Sequence, residues 1–445
     1  MNRHLLVGSG IAALTAAESI RQSDPSARLL MVSDEAEPFY SRPGLAYLLK
    51  GDVPERQLRI RSSGEIAELG LERVTGRVER VSAVGHQVTL ADGRKLGFDR
   101  LLLATGAASI APTFPGAVLR GVVRLDSLAD AREILRLTSR GRTAVVVGGG
   151  STALELVEGL RARGMRTHYF MRGDRYWARV LDPVESGLVE ARLAESGVRI
   201  HRHAEVAAAV GHAGRLRAVD TTAGERITCD VLAVATGVRP RLELAQEAGL
   251  AVERGILVEE SQETSHPDVF AAGDVAQAYD PTADRAVLDT LWSTAEAQGR
   301  VAGLNMAGGQ VAYRKRVARN VTCLAGLVTA VIGDVSGEDD LDLVTMTRGQ
   351  SEAWSGGPAT LTVSERGRDD RIRLRLGPRT IVGAVIIGSQ SLAEPLAELI
   401  AARTDLSSLL PELWERPASL WALLQRFHSG RMPAGDRYVQ ALVAR

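Results

Sequence analysis

Two glycine-rich segments of nearly the same design, 140 residues apart, constrain the fold of this chain more than any other feature. LLVGSGIAALTAAE covers residues 5–18 and VVVGGGSTALE covers residues 145–155. Each has an apolar run, a Gly-x-Gly, a small residue three positions later and a helix-like stretch. This order is typical of the strand, tight turn and helix that open a Rossmann unit. The sequence therefore predicts an α/β protein with two dinucleotide-binding units.

The small residues of each segment have separate tasks. In the first segment Gly8 permits the sharp turn, Gly10 lets the backbone approach a pyrophosphate, and Ala13 keeps the helix close to the strand. The helix N-terminus then presents free N–H groups and the positive end of its dipole to phosphates. If one such segment is taken alone, the alternative interpretation is a glycine-rich turn of an α/β protein that binds no ligand. The second segment has the same three roles at Gly148, Gly150 and Ala153.

The two units differ at the end of their second strand, where a carboxylate reads the hydroxyls of an unmodified ribose. The first unit has Asp34 and Glu35 there, whereas the second has Met171 followed by Arg172 and Arg175. Guanidinium groups in this place bind a 2′-phosphate, so the second unit is predicted to accept NADPH. The alternative is that the arginines are solvated loop charges.

A third segment, TSHPDVFAAGDVAQ at 264–277, combines a short apolar strand at 269–272 with Gly273 and Asp274. Two further stretches, LLLATGA at 101–107 and LAVATGVRP at 232–240, share an Ala-Thr-Gly. With the two glycine segments, the set resembles the glutathione-reductase-like flavoproteins that bind two dinucleotides. In that family the first segment holds FAD, the second holds the nicotinamide cofactor, and the Ala-Thr-Gly segments cross between the domains.

The resemblance implies site residues, and Asp274 matches the aspartate that binds the ribityl chain of FAD. On the nicotinamide-domain helix Glu155 matches a glutamate near the nicotinamide, and Trp292 and Ala295 match residues that flank the isoalloxazine in oxygenase-associated ferredoxin reductases. Trp292 as a core anchor of its helix is the alternative. The other cofactor-binding residues implied are Arg42, Pro43, Val78, Ala104, Thr105, Gly106, Gly273, Ser151 and Gly237.

The stretch FYSRPGLAYLLKG at 39–51 indicates which branch of the family the chain resembles. It contains no cysteine, so the disulfide reductases and the single-cysteine oxidases are disfavoured. Its Tyr-Ser-Arg-Pro is similar to a segment of ferredoxin and rubredoxin reductases and of the N-terminal part of NADH-dependent nitrite reductases. Many of those proteins have a lysine near the flavin where this chain has Tyr47. Lys50 follows about one helical turn later.

Composition excludes several other classes. The formal net charge is zero, with 54 basic and 54 acidic residues, which argues against general nucleic-acid binding. Two distant cysteines, Cys229 and Cys323, predict neither a disulfide framework nor a metal site. No apolar run is long enough to suggest a membrane span. The first strand pattern starts within a few residues of Met1 and leaves no room for a signal peptide, so a cytoplasmic protein is expected.

The pattern predicts the following domain bounds. An FAD domain covers 1–115 and 256–310, and a nucleotide domain covers 116–255. A C-terminal α+β domain, an antiparallel sheet backed by a helix at about 391–403, covers 311–400 and is a candidate homodimer interface. A helical tail covers 401–445. Its apolar residues form a stripe that either packs on its own protein, docks a partner or lies on a membrane surface. The stripe consists of Leu413, Trp414, Leu420, Trp421, Leu423, Leu424 and Phe427.

The resulting functional prediction is an FAD-dependent NAD(P)H oxidoreductase. Hydride passes from the pyridine nucleotide to FAD, and the electrons pass to a separate carrier of the ferredoxin or rubredoxin type, since the chain contains no iron–sulfur ligands. An NAD(P)H oxidase, a quinone reductase and a flavin-bearing redox sensor are the alternatives.

Overall fold

The computed structural model describes residues 2–281, 284–335, 348, 349, 351, 371–409 and 424, and residues 361–366 as strand backbone. In chain order the first elements are β1 (Arg3–Val7), α1 (Ile11–Ser23), β2 (Arg28–Ser33), α2 (Gly44–Lys50), a 3₁₀ turn (Glu55–Leu58), α3 (Ser63–Glu68), β3 (Leu71–Thr75), β4 (Val78–Ser82), β5 (Gln87–Leu90), β6 (Lys95–Gly97), β7 (Arg100–Leu103), β8 (Ala107–Ser109), β9 (Val122–Val123) and α4 (Leu128–Leu137).

The next elements are β10 (Thr143–Val147), α5 (Ser151–Ala162), β11 (Arg166–Phe170), α6 (Pro183–Glu195), β12 (Arg199–His201), β13 (Val206–His212), β14 (Arg215–Thr221), β15 (Arg226–Thr228), β16 (Val231–Val234), β17 (Val238–Pro240) and α7 (Glu243–Glu247). They are followed by β18 (Ile256–Val258), β19 (Val269–Ala271), β20 (Ala276–Asp280), β21 (Arg285–Leu288), α8 (Trp292–Met306), β22 (Arg319–Leu324), β23 (Leu327–Gly333), β24 (Leu361–Arg366), β25 (Arg371–Leu376), β26 (Ile381–Ile387) and α9 (Ala393–Ala401).

Contacts divide the described residues into two compact units. The first unit lies within 1–178, 190–315 and 342–352, and the second within 179–189, 316–341 and 353–445. Each unit has its own hydrophobic core.

The first unit contains two parallel five-stranded sheets, in the strand orders β19-β7-β1-β2-β3 and β12-β11-β10-β16-β9. Strands buried on both faces of a parallel sheet are apolar throughout, as the runs at 5–7 and 144–147 are. Parallel neighbours need a crossover, which α1 supplies between β1 and β2, and α5 between β10 and β11. The repeat in the sequence is therefore a repeat of βαβ units, and the predicted fold class is confirmed.

Strand β19 completes the first sheet although it lies far along the chain from its neighbour. Its residues Val269, Phe270 and Ala271 pair in parallel with Leu101, Leu102 and Leu103 of β7. The parallel register brings the carboxyl ends of β1, β7 and β19 to one edge of the sheet. The segments that follow these strands therefore meet there.

The second unit is built on an antiparallel sheet in the order β22-β23-β26-β25-β24. One face packs on α9 through Ile372, Leu374 and Ile386, among other core residues. The helix is slightly shorter than the predicted 391–403. Strands β22 and β24, absent from the prediction, pair at the two edges of the sheet. The apolar run at 342–347 and the tail from 410, except Leu424, lie outside the described residues.

Alternate residues of β25 are arginines, and they lie buried on the other face of this sheet. Arg373 donates to both carboxylate oxygens of Glu185, at 2.9 and 3.0 Å, and Arg371 forms an ion pair with Asp182. Arg375 forms an ion pair with Asp334 at 2.6 Å. Because each guanidinium has a carboxylate partner, the sheet buries its charged face without leaving those charges uncompensated.

Candidate functional site: two dinucleotide cradles

The first glycine turn connects β1 to α1 in a space that only glycine fits. Gly8 has a φ of +120°, and a Cβ on it would lie 2.1 Å from the carbonyl oxygen of Ala104. Gly10 is the N-cap of α1 and provides no capping side chain, so the first turn keeps free N–H groups. A Cβ on Gly10 would meet no protein atom within 4 Å. The open helix terminus therefore fits a dinucleotide pyrophosphate.

The second glycine turn repeats this geometry between β10 and α5. Gly148 has a φ of +150°, and a Cβ on it would lie 2.2 Å from the carbonyl oxygen of Ala235. Gly150 is the N-cap of α5, again without a capping side chain. Ala153, which is fully buried, has its methyl group 2.9 Å from the same Cβ position. In both turns the first glycine packs against the alanine of an Ala-Thr-Gly segment. We call each glycine turn, together with the helix N-terminus that follows it, a cradle: the first precedes α1 and the second precedes α5.

The two Ala-Thr-Gly segments lie side by side. Gly106 and Gly237 both have positive φ, and the strands that follow them, β8 and β17, pair antiparallel. The side chain of Arg241 donates to the carbonyl oxygen of Thr105 at 2.8 Å, and the Thr105 hydroxyl donates back to that of Arg241 at 3.3 Å. These contacts join the chain where it enters and leaves the second sheet.

The acidic residues after β2 have different surroundings. Glu35 accepts hydrogen bonds from Tyr40 at 2.7 Å and from Arg42 at 2.5 Å, and Arg42 also donates to the carbonyl oxygen of Asp126 at 2.8 Å. Asp34 is exposed. Pro43 follows Arg42 as the N-cap of α2, where its fixed φ suits the start of a helix. Arg42 thus holds Glu35 beside the first cradle.

Asp274 lies at the carboxyl end of β19, on the same sheet edge as the first cradle. Gly273 before it has a φ of +82°, and its N–H donates to the side-chain oxygen of Gln298 at 2.8 Å. Burial raises the pKa of Asp274, although the nearby guanidinium groups of Arg348 and Arg42 lower it. Arg42 and Asp274, far apart in the chain, are therefore close enough to interact.

Helix α8 begins at Trp292, whose side chain is partly exposed, and buries Ala295 against the region of Gly273. Val78, at the start of β4, is buried in the core beside the first sheet. Trp292 and Ala295 of α8 were predicted from the sequence as site residues, but Gln298, which fixes the Gly273 turn, was not. The signal in the sequence that could have identified Gln298 is its polar side chain, one helical turn after Ala295.

The second cradle differs from the first in its acidic residues. Met171 is buried, and its N–H donates to the carbonyl oxygen of His201 at 2.9 Å. Strand β11 ends at Phe170, one residue earlier than predicted. Arg172 is exposed, whereas Arg175 is partly buried and contacts Asp174 at 3.1 Å. Of the two predicted arginines, Arg172 is thus the one free to meet a ligand.

Glu155 and Ser151 lie on the first turns of α5. Burial raises the pKa of Glu155 to about 7, with Glu158 acting in the same direction and Arg348 against it. The hydroxyl of Ser151 donates to the carbonyl oxygen of Arg348 at 2.7 Å. Arg348 was not predicted to lie here, because it is 197 residues from Ser151 in the chain and carries no motif.

A family model described as pyridine nucleotide-disulphide oxidoreductase matches residues 2–299. The chain belongs to this family. It is an FAD-dependent NAD(P)H oxidoreductase. In the residues that the structure describes, no helix is long and apolar enough to cross a membrane.

The chain is also similar to two proteins in sequence and to one solved structure in fold. It is 32% identical to a biphenyl dioxygenase system ferredoxin–NAD(+) reductase component of Paraburkholderia xenovorans strain LB400, over 80% of this chain and 85% of the relative. It is 27% identical to an NADH oxidase of Methanocaldococcus jannaschii, over 88% and 89%. The fold matches a covalent putidaredoxin reductase–putidaredoxin complex with a TM-score of 0.82, at 22% identity, over 95% of this chain and 99% of that one.

The oxidoreductase has two cradles, as a hydride transfer between two dinucleotides requires. FAD supplies the redox chemistry when it is bound, and the protein supplies position, electrostatics and exclusion of water. Among the described residues, no group of three or more histidines, cysteines or acids is arranged to hold a metal.

Proposed function

We propose that this oxidoreductase passes electrons from its reduced flavin to a small carrier protein of the ferredoxin or rubredoxin type. The observation that carries the proposal is the similarity to a ferredoxin–NAD(+) reductase component over 85% of that protein's length.

The cysteines support an acceptor outside the chain. Helix α2 and its flanks, residues 39–51, contain no cysteine, so no thiol of that segment receives electrons from the flavin. Cys229 is buried in the core of the second sheet, and burial raises the pKa of its thiol to about 12. Such a thiol stays protonated and unreactive at neutral pH. Cys323 belongs to β22 of the second unit.

We assign FAD to the first cradle and the pyridine nucleotide to the second. The first has the carboxylates of Glu35 and Asp274 beside it, which suit ribose and ribityl hydroxyls. The second has Met171 where an acid would stand and an exposed Arg172 next to it. We propose that it accepts NADPH, because the guanidinium attracts a 2′-phosphate and no carboxylate stands at the position of Met171.

The experiment reduces the purified protein with NADPH or NADH without oxygen. The reduced protein is then mixed separately with a [2Fe–2S] ferredoxin, a rubredoxin, oxygen and a short-chain quinone, and the recovery of flavin absorption is timed. We expect a carrier protein to reoxidise the flavin at least tenfold faster than oxygen or the quinone. Faster reoxidation by oxygen or the quinone contradicts the proposal.

Oxygen is the second candidate acceptor, and the similarity to an NADH oxidase favours it. The same experiment separates the two, because an oxidase is reoxidised by oxygen without a carrier. A reduced flavin that persists with every acceptor would instead indicate a redox sensor.

Further proposals from the sequence concern organisation. We propose the domain bounds 1–115 with 256–310, 116–255, 311–400 and 401–445, a homodimer formed through the C-terminal domain, and a cytoplasmic location. Light scattering of the purified protein tests the dimer, and fractionation of the source cells tests the location.

A further inference from the structure

Arg348 enters the region between the two cradles from a distant part of the chain. Its guanidinium contacts the carboxylate of Asp126 and the carbonyl oxygen of Ala107, the latter at 3.4 Å. Its own carbonyl oxygen accepts the hydrogen bond of Ser151. The next residue, Gly349, donates its N–H to the carbonyl oxygen of Thr290 at 2.9 Å. Arg348 is thus held at the start of α5, at the crossing strand β8 and just before α8.

Three carboxylates lie within electrostatic reach of this guanidinium. Burial favours the neutral form of Asp126, but Arg348 and the hydrogen bonds from Ser109 bring the pKa of Asp126 below its ordinary value. Arg348 also acts against the effect of burial on Asp274 and on Glu155. Asp274 belongs to the edge of the first cradle and Glu155 to the helix of the second. Arg348 therefore lies within electrostatic reach of one carboxylate from each cradle.

The neighbouring cations are held by other partners. Lys50 lies 3.5 Å from Glu158 and 3.8 Å from Asp52, so it joins α2 to α5 one turn away from Glu155. Arg42 is bound to Glu35.

A buried lysine, Lys315, pairs with Asp289, and both side chains are 3% exposed. The side chain of Arg348, in contrast, is 23% exposed, and its Nε has no hydrogen-bond partner within the described part of the chain. This N–H is itself buried, so the exposed part of the side chain lies elsewhere on the guanidinium or its stem.

We propose that Arg348 is a cofactor-facing residue that supplies positive charge at the junction of the two cradles, between Asp274 and Glu155. A fixed cation there stabilises negative charge that develops when hydride arrives, because it is already oriented and partly withdrawn from water. Asp126 holds the guanidinium in place through its ion pair. Tyr47 and Lys50 of α2 do not serve this purpose, since a tyrosine supplies no cation and Lys50 pairs with Glu158.

The inference rests on the FAD-dependent oxidation of NAD(P)H and not on the identity of the acceptor. Its test therefore measures the flavin itself. Arg348→Gln should retain FAD but lower the midpoint potential of the flavin, because the reduced form loses a stabilising charge. Reduction by NADPH should slow at least tenfold. Arg348→Lys, which restores the charge, should recover most of the potential.

The double variant Arg348→Gln with Asp126→Asn separates a charge effect from damage to the fold. Removing the arginine alone leaves Asp126 as a partly buried carboxylate without its cation, which destabilises the protein by itself. The asparagine relieves that cost, so the double variant should regain thermal stability although it lacks the cation. Lys50→Gln, which removes a neighbouring positive charge, should leave the potential unchanged.

Two results would overturn the inference. A flavin potential in Arg348→Gln equal to that of the unmodified protein would show that the guanidinium faces away from the flavin. A potential in Arg348→Lys as low as that of Arg348→Gln would show that positive charge at this place does not act on the flavin. Neither result depends on which acceptor the reduced enzyme uses.

Discussion

Gly299 of α8 faces Ala12 of α1 so closely that a Cβ on Gly299 would lie 2.2 Å from the Ala12 carbonyl oxygen. One turn later, a Cβ on Gly303 would lie 2.4 Å from the carbonyl oxygen of Ala16. The two helices therefore touch through backbone, along small residues spaced four apart. Helix α1 begins at the first cradle, and α8 carries Gln298, which fixes the Gly273 turn. The contact thus sets the distance between two parts of the proposed FAD site.

Replacing Gly299 by alanine should push these helices apart. Overpacking of this kind costs about 1–3 kcal/mol, and here the obstructing atom is backbone, which has little freedom to move. We expect Gly299→Ala to lower the midpoint of thermal unfolding and to weaken FAD retention. Gly187→Ala, at an exposed position of α6 with no atom near its Cβ, is the matched control and should be neutral or slightly stabilising. Equal behaviour of the two variants would refute the packing argument.

Removing the cysteines should leave flavin reduction intact. Cys229→Ala and Cys323→Ala, singly and together, should reduce an artificial dye with NADPH at rates within about twofold of the unmodified protein. The physical reason is that Cys229 is a buried, protonated thiol and neither cysteine lies in a cofactor cradle. Steady-state kinetics measure the rate of dye reduction by each variant, and circular dichroism checks that the variant is folded. A folded variant that lost flavin reduction would place the redox chemistry on a thiol.

Arg172→Glu should increase the use of NADH relative to NADPH. The new carboxylate offers an acceptor to the ribose 2′-hydroxyl and repels a 2′-phosphate, each effect being on the order of 1–2 kcal/mol. The ratio of kcat/KM for the two nucleotides should therefore change roughly tenfold or more. Arg217→Glu, an exposed charge reversal on β14, controls for net charge. An unchanged ratio in Arg172→Glu would mean that this side chain points into solvent in the complex.

The pH dependence of flavin reduction should report Glu155. Burial raises the pKa of this carboxyl to about 7, so the group becomes negative as the pH rises through neutrality. A carboxylate near the nicotinamide stabilises the positive charge that the ring acquires as it loses hydride. The rate of flavin reduction should therefore rise between about pH 6 and 8. Glu155→Gln should give a flat profile at the slower level in stopped-flow measurements.

Much of this fold could be predicted because the informative signals are local. A Gly-x-Gly after an apolar run marks a strand, a turn and a helix wherever it occurs, and the requirement for glycine at Gly8 and Gly148 is a matter of adjacent backbone atoms. The contact of each glycine with Ala104 or Ala235 was not visible in the sequence, because it depends on which strands are neighbours in a sheet.

The unpredicted parts depend on contacts between distant segments. Arg348 reaches Asp126 across 222 residues, and an isolated arginine in an arginine-rich chain carries no signal of its own. Glu35 was predicted from its position after β2, but its ion pair with Arg42 requires the geometry of the loop between them. The alternating arginines of β25 carry no signal of burial in the sequence, because their burial depends on the carboxylates of Asp182 and Glu185 that cover them.

The central claim is that FAD occupies the first cradle and takes hydride from a nucleotide in the second. The most direct measurement is an oxygen-free titration of the purified protein with NADPH and NADH, compared with Gly10→Val. We predict a yellow protein with one FAD per chain whose visible absorption is bleached by pyridine nucleotide. Gly10→Val should fold, because no protein atom lies near its Cβ position, yet be colourless, because the side chain fills the place of the pyrophosphate. A colourless unmodified protein that FAD does not reconstitute, or a bound flavin that neither nucleotide bleaches, would contradict the account.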